Sequence, residues 1–258
     1  MVHRSFNVLG SIALVNFSDK TKLKDKQKFA NEILKKHSNI KTVLEKSENF
    51  SGRLRKMKTK YLAGEKNKEV LYRENNCSFR FNIDTTYFSP RLSNERKEVA
   101  SLIKKGEEVL VMFAGVAPFS IVIAKNSGAK KIYSNEINRE ANKYAKLNVE
   151  LNRVKDRVEI VPGDAKKLSN KLNKKFDAIV MARPNLKDTF LEDAFKFAKK
   201  GTRIYYYGFC KIEDVDKIVE QIKDEASRAK KKIKILKKKH AGEIAPYKIR
   251  LRVDFKVV

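Results

Sequence analysis

The chain has 258 residues, 41% of them hydrophobic, and carries 59 Lys plus Arg against 31 Asp plus Glu, a net charge of +28. That hydrophobic share supplies a core and excludes global disorder. No apolar run nears the ~20 residues that span a bilayer, and the N-terminal MVHRSFNVLG lacks the apolar stretch of a secretory signal. A soluble, cytoplasmic protein is expected. A cationic excess of this size points to a polyanionic partner, nucleic acid foremost. Cys77 and Cys210 are the only cysteines, and His3, His37 and His240 are scattered, so neither a structural metal nor a disulfide is expected.

Residues 6–16, FNVLGSIALVN, read as strand material around Gly10. Residues 23–36 place Phe29, Ile33 and Leu34 at helical spacing. Short strands are expected at 41–45, 68–73 and 78–83, with the basic segment GRLRKMKTKYLAGEK among them. This first third reads as a small α+β unit. From about residue 94 the rhythm changes. Strands at 107–113, 129–135, 157–163, 176–182 and 202–209 alternate with helices at 119–126, 138–152, 186–200 and 213–229. In the second of these helices Ala141, Tyr144, Ala145 and Val149 share a face. Strands at 232–239 and 247–257 close the chain. The fold class is α/β, a doubly wound, mostly parallel Rossmann-like sheet preceded by the smaller α+β unit. Right-handed crossovers bring the strand ends to one ligand-binding edge.

The first strand of that sheet runs into VMFAGVAPFS, residues 111–120, where Gly115 lets a ligand approach the backbone. No G-x-G-x-x-G is present, so Gly115 alone also fits a plain strand-to-helix turn. Glu136 stands at the tip of the second strand, where a carboxylate accepts from both hydroxyls of a ribose, or acts as a helix-start acid. Asp164, at the tip of the third, suits an adenine amino group, or a helix N-cap. Together, in order on three strand ends, they favour an adenosine-containing cofactor. No Walker-type lysine follows Gly115, which favours S-adenosylmethionine over ATP.

VLVMFAGVAPFSI, IYSNEIN, KLNVELNRVKDRVEIVPGDA and TRIYYYGF resemble class I S-adenosylmethionine-dependent methyltransferases that modify tRNA beside the anticodon. SGRLR (51–55), LAGE (62–65), YRENNCSFRFNID (72–84) and YFSPRLSNER (87–96) narrow the resemblance to the archaeal and eukaryotic tRNA (guanine-37-N1)-methyltransferase family. The Pro-Arg-Leu after the serine sets it apart from related enzymes that move the aminocarboxypropyl group of the same cofactor. The resemblance runs from FNVLGSIALV to APYKIRLRVDFKV. It implies an RNA-binding or substrate domain at 1–86 and a class I methyltransferase domain at 87–258, without the extra N-terminal domain of longer members. It also implies a tRNA anticodon loop as partner, no membrane, and a monomer.

The implied chemistry removes a proton from guanine N1 as it attacks the sulfonium methyl, while negative charge builds on O6. The resemblance gives Glu95 the role of general base, worth roughly 10²–10⁴-fold. It gives Arg55 that of O6 stabiliser, and places Tyr87 at the junction of cofactor and base. Arg96 would meet the methionine carboxylate. Phe113, Gly115, Glu136, Ile137, Asp164 and Ala165 would hold the rest of the cofactor. The target base would be extruded from its stack, with lysines supplying salt-dependent affinity. The pattern departs at three places. Val111 replaces the usual aspartate, Ala117 a glycine, and Met181-Ala182-Arg183-Pro184 stands where the fourth strand usually ends in Asn-Leu-Pro. Asn185 and Arg183 become the substrate-binding candidates there. These changes leave two alternatives to guanine methylation: an RNA-binding protein on a methyltransferase scaffold, or methylation of a tricyclic wyosine precursor at the same position.

Overall fold

The computed structural model describes residues 6–47 and 52–258. His3 and Ser51 of the SGRLR motif lie outside the described residues. Residues 6–16 form a hairpin, with strands on either side of Gly10: β1 (Phe6–Leu9) and β2 (Ile12–Val15) pair antiparallel. The turn needs Gly10. Its φ is 56°, and a Cβ there would lie 2.5 Å from the Leu71 carbonyl oxygen. Helix α1 (Leu23–Lys36) follows, then β3 (Thr42–Lys46) and β4 (Thr59–Gly64), completing a sheet in the order β1-β2-β3-β4. β4 lies within the basic segment 52–66. Its lysines obscure the alternation, yet Thr59, Leu62 and Ala63 are buried. Ala30 and Ile33 of α1 pack there with Ala13, Val15 and Val43.

A hairpin links the two parts. β5 (Glu69–Glu74) and β6 (Cys77–Asn82) turn through Asn75 and Asn76, with φ of 48° and 58°, the left-handed pair that a tight hairpin requires. A 3-10 turn, Pro90–Leu92, leads into α2 (Ser93–Leu102).

The remainder alternates as expected through β7 (Glu108–Met112), α3 (Pro118–Asn126), β8 (Lys131–Glu136), α4 (Arg139–Leu151), β9 (Val158–Pro162) and β10 (Phe176–Met181). It ends with α5 (Leu191–Phe195), β11 (Ala198–Lys211), α6 (Val215–Arg228), β12 (Ile233–Ala245) and β13 (Lys248–Val257). The sheet order is β12-β13-β11-β10-β7-β8-β9. β7 to β11 run parallel, and β13 is antiparallel between β11 and β12. Val109 to Met112 of β7 are fully buried, as in a central strand covered on both faces. The order reverses between β7 and β10, and the crevice outside those strand ends is where such sheets bind ligands.

The helix expected over 186–200 shrinks to α5. Phe190 takes a left-handed φ of 59° ahead of it, with its N–H donated to Asp188. By Ala198 the chain already pairs with Phe176 of β10. Thr202 then donates its hydroxyl to the Phe176 carbonyl at a bulge.

Helix α4 docks the hairpin through two asparagines. Asn152 exchanges hydrogen bonds with the backbone N–H and C=O of Ser78 (2.9 and 2.7 Å), and Asn148 with those of Arg80 (2.7 and 3.0 Å). Four helical residues rise ~6 Å and two strand residues ~6.6 Å, so the spacings match and the free edge of β6 is satisfied. No helix among the described residues is long and apolar enough to cross a membrane.

Candidate active site

The turn after β7 opens the site. Phe113, Gly115 and Ala117 all have left-handed φ, at 61°, 57° and 67°. A Cβ on Gly115 would lie 3.3 Å from the Tyr87 carbonyl oxygen, so glycine keeps the approach open. Ala117 occupies the usual glycine position. The left-handed backbone costs an L-residue about 1 kcal/mol, and the methyl, fully buried, offsets part of this by filling the core.

The Gly115 N–H donates to Glu136 Oε2 at 2.8 Å, and the Asn138 N–H donates to Oε1 at 2.8 Å. Burial pushes the Glu136 carboxyl above its usual range, with the N–H groups of Asn138, Gly115 and Ile137 offsetting part of the rise. Each oxygen keeps acceptor capacity for a ligand hydroxyl. Asn138 caps α4, accepting from the Glu140 N–H at 3.0 Å, and its amide donates to the carbonyls of Leu54 (3.1 Å) and Thr85 (2.8 Å). One side chain therefore fixes the start of α4 and the two segments that carry Arg55 and Tyr87.

Asp164 caps the next 3-10 turn by accepting from the Lys166 N–H at 3.1 Å. Its other oxygen accepts from Arg53 at 2.8 Å. Burial would raise this carboxyl, but Arg53 and the Lys166 N–H outweigh it and hold the group below its usual value.

These groups surround two adjoining hollows. The inner cavity is lined by Leu54, Arg55, Tyr87, Phe113, Gly115, Glu136, Ile137, Ala182 and Tyr207, among others. A narrower slot beside it is bounded by Phe113, Glu136, Ile137, Asp164, Ala165 and Phe190, with the Phe113 and Phe190 rings edge-on at 4.9 Å. The walls of the slot are apolar, with Asp164 at its end and Glu136 between slot and cavity. The residues present therefore suit an adenosine-bearing group. An outer cleft continues from the cavity past Arg55, Tyr87, Asn185, Phe209 and Arg250 toward Lys46 of the small sheet. Arg55 stacks its guanidinium 4.7 Å from the Tyr87 ring centroid where cavity and cleft meet.

Three expected site residues are engaged elsewhere. Arg96 lines none of these three hollows. Its guanidinium is gripped by both oxygens of Glu74, donates to the Ser89 carbonyl at 2.9 Å, and packs over the Phe88 ring. It ties α2 to β5 and is not presented to a cofactor carboxylate. Arg183 borders the cavity, but its guanidinium turns inward. It donates to the Tyr206 hydroxyl (2.9 Å) and to the carbonyls of Pro184, Leu186 and Asp188 (3.0, 3.1 and 3.2 Å), stapling the loop after β10. Glu95, 4% exposed, lines none of these three hollows either. It accepts from Lys239 (2.6 Å), Arg252 (2.8 Å) and the Tyr207 hydroxyl (3.0 Å).

That carboxylate belongs to a partly buried network. Arg252, fully buried, also pairs with Asp254 (2.8 Å) and Glu98 (2.6 Å), and Lys237 and Lys239 complete the set around Glu98. Burial would raise the Glu98 carboxyl, but hydrogen bonds from Lys239, Arg252 and Lys237 outweigh it and bring it to about 2.

Sequence reasoning passes over Arg53, Asn138, Phe190, Tyr207 and Arg250 as site residues. Asn138, just before a helical run, carries an N-cap signal, and Arg53 lies in the quoted SGRLR. Tyr207 lies in the quoted TRIYYYGF and Arg250 in the quoted APYKIRLRVDFKV, but nothing in either stretch marks them as site residues, and Phe190 has no local signature. Among the described residues no cluster of His, Cys, Asp or Glu could hold a metal ion.

Comparison with known proteins places this geometry. The family model of the TRM5/TYW2 methyltransferase domain matches residues 70–236, and that of the TYW2 N-terminal domain matches residues 1–67. The chain is 34% identical to the tRNA (guanine(37)-N(1))-methyltransferase Trm5b of Pyrococcus abyssi, over 98% of this chain and 74% of the relative. It is 31% identical to the tRNA (guanine(37)-N(1))/4-demethylwyosine(37)-methyltransferase Taw22 of Nanoarchaeum equitans, over 98% of this chain and all of the relative. The solved complex of aTrm5 with tRNALeu superposes with a TM-score of 0.87 at 28% identity, over 98% of this chain and 72% of that one.

Proposed function

This chain belongs to the TRM5/TYW2 methyltransferase family, and on that premise we propose that it methylates N1 of guanine 37 in tRNA, beside the anticodon. The observation that carries the reading is the union of two halves. The Gly115–Glu136–Asp164 arc, made for an adenosine, opens at its far end onto Arg55 and Tyr87. S-adenosylmethionine, bound along that arc, would supply an electrophilic methyl group. Glu136 would take the ribose hydroxyls, Asp164 and the slot walls the adenine, and Ala165 and Ile137 would close around it.

At the other end Arg55 would face the developing charge on O6, where a fixed cation in a dry site is worth far more than in water. Its stacking on Tyr87 holds the guanidinium at the mouth of the outer cleft. Asn185 lines that cleft and would meet the RNA. Glu95 would serve as the base that finally receives the N1 proton. Arg183 and Arg96 would act by shaping the loop after β10 and by anchoring α2. The division at 86/87 belongs to the same proposal, with the β5–β6 hairpin as the seam, as do a monomeric state and a cytoplasmic place.

Methylation of a tricyclic wyosine precursor at the same position is the second reading. It is favoured by the small Ala182 at the cavity wall and by the open cleft next to it. Radiolabelled methyl transfer to a tRNA transcript tests the main reading. Incorporation should vanish when guanine 37 is replaced, and undiminished incorporation contradicts it. Mass spectrometry of the product nucleosides separates the two acceptors.

A further inference from the structure

We propose that the Tyr207 hydroxyl carries the acceptor's proton from the cavity to Glu95. The proposal rests on the methyl-transfer reading above and adds a catalytic residue to it. Glu95 borders none of the hollows, so a base that acts directly would have to swing into the cavity. Its surroundings oppose that. Lys239 holds Oε1 at 2.6 Å and Arg252 holds Oε2 at 2.8 Å. Arg252 is itself fixed by Asp254 and Glu98. The next residue on the helix, Arg96, is clamped by Glu74 and Ser89.

Of the groups bonded to Glu95, Tyr207 alone among the described residues also lines the inner cavity. Its ring is buried against Phe119, with centroids 5.7 Å apart, and its hydroxyl lies 3.0 Å from Glu95 Oε2. A phenol can accept a proton on its oxygen while giving up its own. The network around Glu95 pairs three carboxylates, Glu95, Glu98 and Asp254, with three cations, Arg252, Lys237 and Lys239.

The N1–H proton passes to the Tyr207 oxygen as the Tyr207 proton passes to Glu95 Oε2. The electron pair left on N1 forms the new bond to the methyl carbon, and sulfur departs with the pair of the broken bond. Tyr207 ends as a neutral phenol and Glu95 as a carboxylic acid.

The test uses the full chain in single-turnover methylation of a guanine-37 tRNA transcript, under conditions where chemistry limits the rate. In mixtures of H₂O and D₂O the wild-type rate should follow a two-proton, quadratic dependence on deuterium fraction. Tyr207→Phe should lose about 10²-fold or more in kcat, the scale of one proton-transfer group. KM for tRNA and the affinity for S-adenosylmethionine should stay unchanged. A linear, one-proton dependence in the wild type overturns the relay, whether or not the variant folds. So does a Tyr207→Phe kcat within about threefold of wild type. Either result leaves the methyltransferase reading intact. If the wild type transfers no methyl group to tRNA, the functional reading has failed and the relay falls with it.

Discussion

The two ends of the site are built by opposite means. At the adenosine end, backbone N–H groups of Gly115 and Asn138 hold one carboxylate, and the residues involved sit within one turn of their strand tips. At the acceptor end, Glu95, Glu98, Lys239, Arg252 and Asp254 hold one another across β12, β13 and α2, with Glu95 and Arg252 separated by 157 residues. The first end is local and keeps acceptor capacity for a ligand. The second is long-range and closed. On the proposed function, cofactor binding would depend on three strand–helix turns, and proton removal on the intact packing of the C-terminal strands against α2. The two should fail separately.

The largest expected effect comes from Arg252→Met, which leaves the buried Glu95 and Asp254 and the partly exposed Glu98 without their shared cation. Removing one partner of a buried ion network costs about 3–5 kcal/mol. Denaturant unfolding should show that loss, with turnover reduced in the fraction that stays folded. A stability equal to wild type would mean that the network is not holding the acceptor end.

Acid should act on the same end. Glu98 titrates near 2 in the folded protein, below the 4.5 of a free glutamate. Its contribution to stability is therefore fully present above pH 4.5 and lost as pH falls toward 2. Glu136 is shifted upward and contributes with the opposite sign, its cost relieved on protonation. Unfolding midpoints measured down this range should fall in the wild type and fall less steeply in Arg252→Met.

At the cofactor end, Glu136→Gln removes charge-assisted bonds worth about 1.5–3 kcal/mol. Calorimetry with S-adenosylmethionine should show a matching loss of affinity with little change in stability. The smallest effect belongs to Ala117→Gly. Relief of the left-handed strain and loss of a buried methyl nearly cancel, so the melting temperature should move by no more than the equivalent of about 1 kcal/mol.

The same contrast explains what was legible in the sequence. Gly115, Glu136 and Asp164 were readable because a doubly wound sheet presents its strand tips in order, and a tip is found by counting alternating elements. Arg96 and Arg183 were readable as cations near the site, but not where they point, because Glu74 and the carbonyls of 184–188 claim them only after folding. Glu95, the base that the family pattern implies, is bonded to Tyr207, 112 residues away, and no local motif announces that contact. The strand material around Gly10 was legible, and the glycine's left-handed φ turns it into a hairpin. The loop that shortens the 186–200 helix depends on Asp188 capping Phe190 and on Arg183, a tertiary override of a helical pattern.

One measurement tests the separation of the two ends most directly. Glu95→Gln should bind S-adenosylmethionine as wild type does by calorimetry, while single-turnover methylation of the guanine-37 transcript falls roughly 10²–10⁴-fold. Methylation at the wild-type rate would remove Glu95 from the chemistry. A parallel loss of cofactor affinity would show that the two ends are one unit.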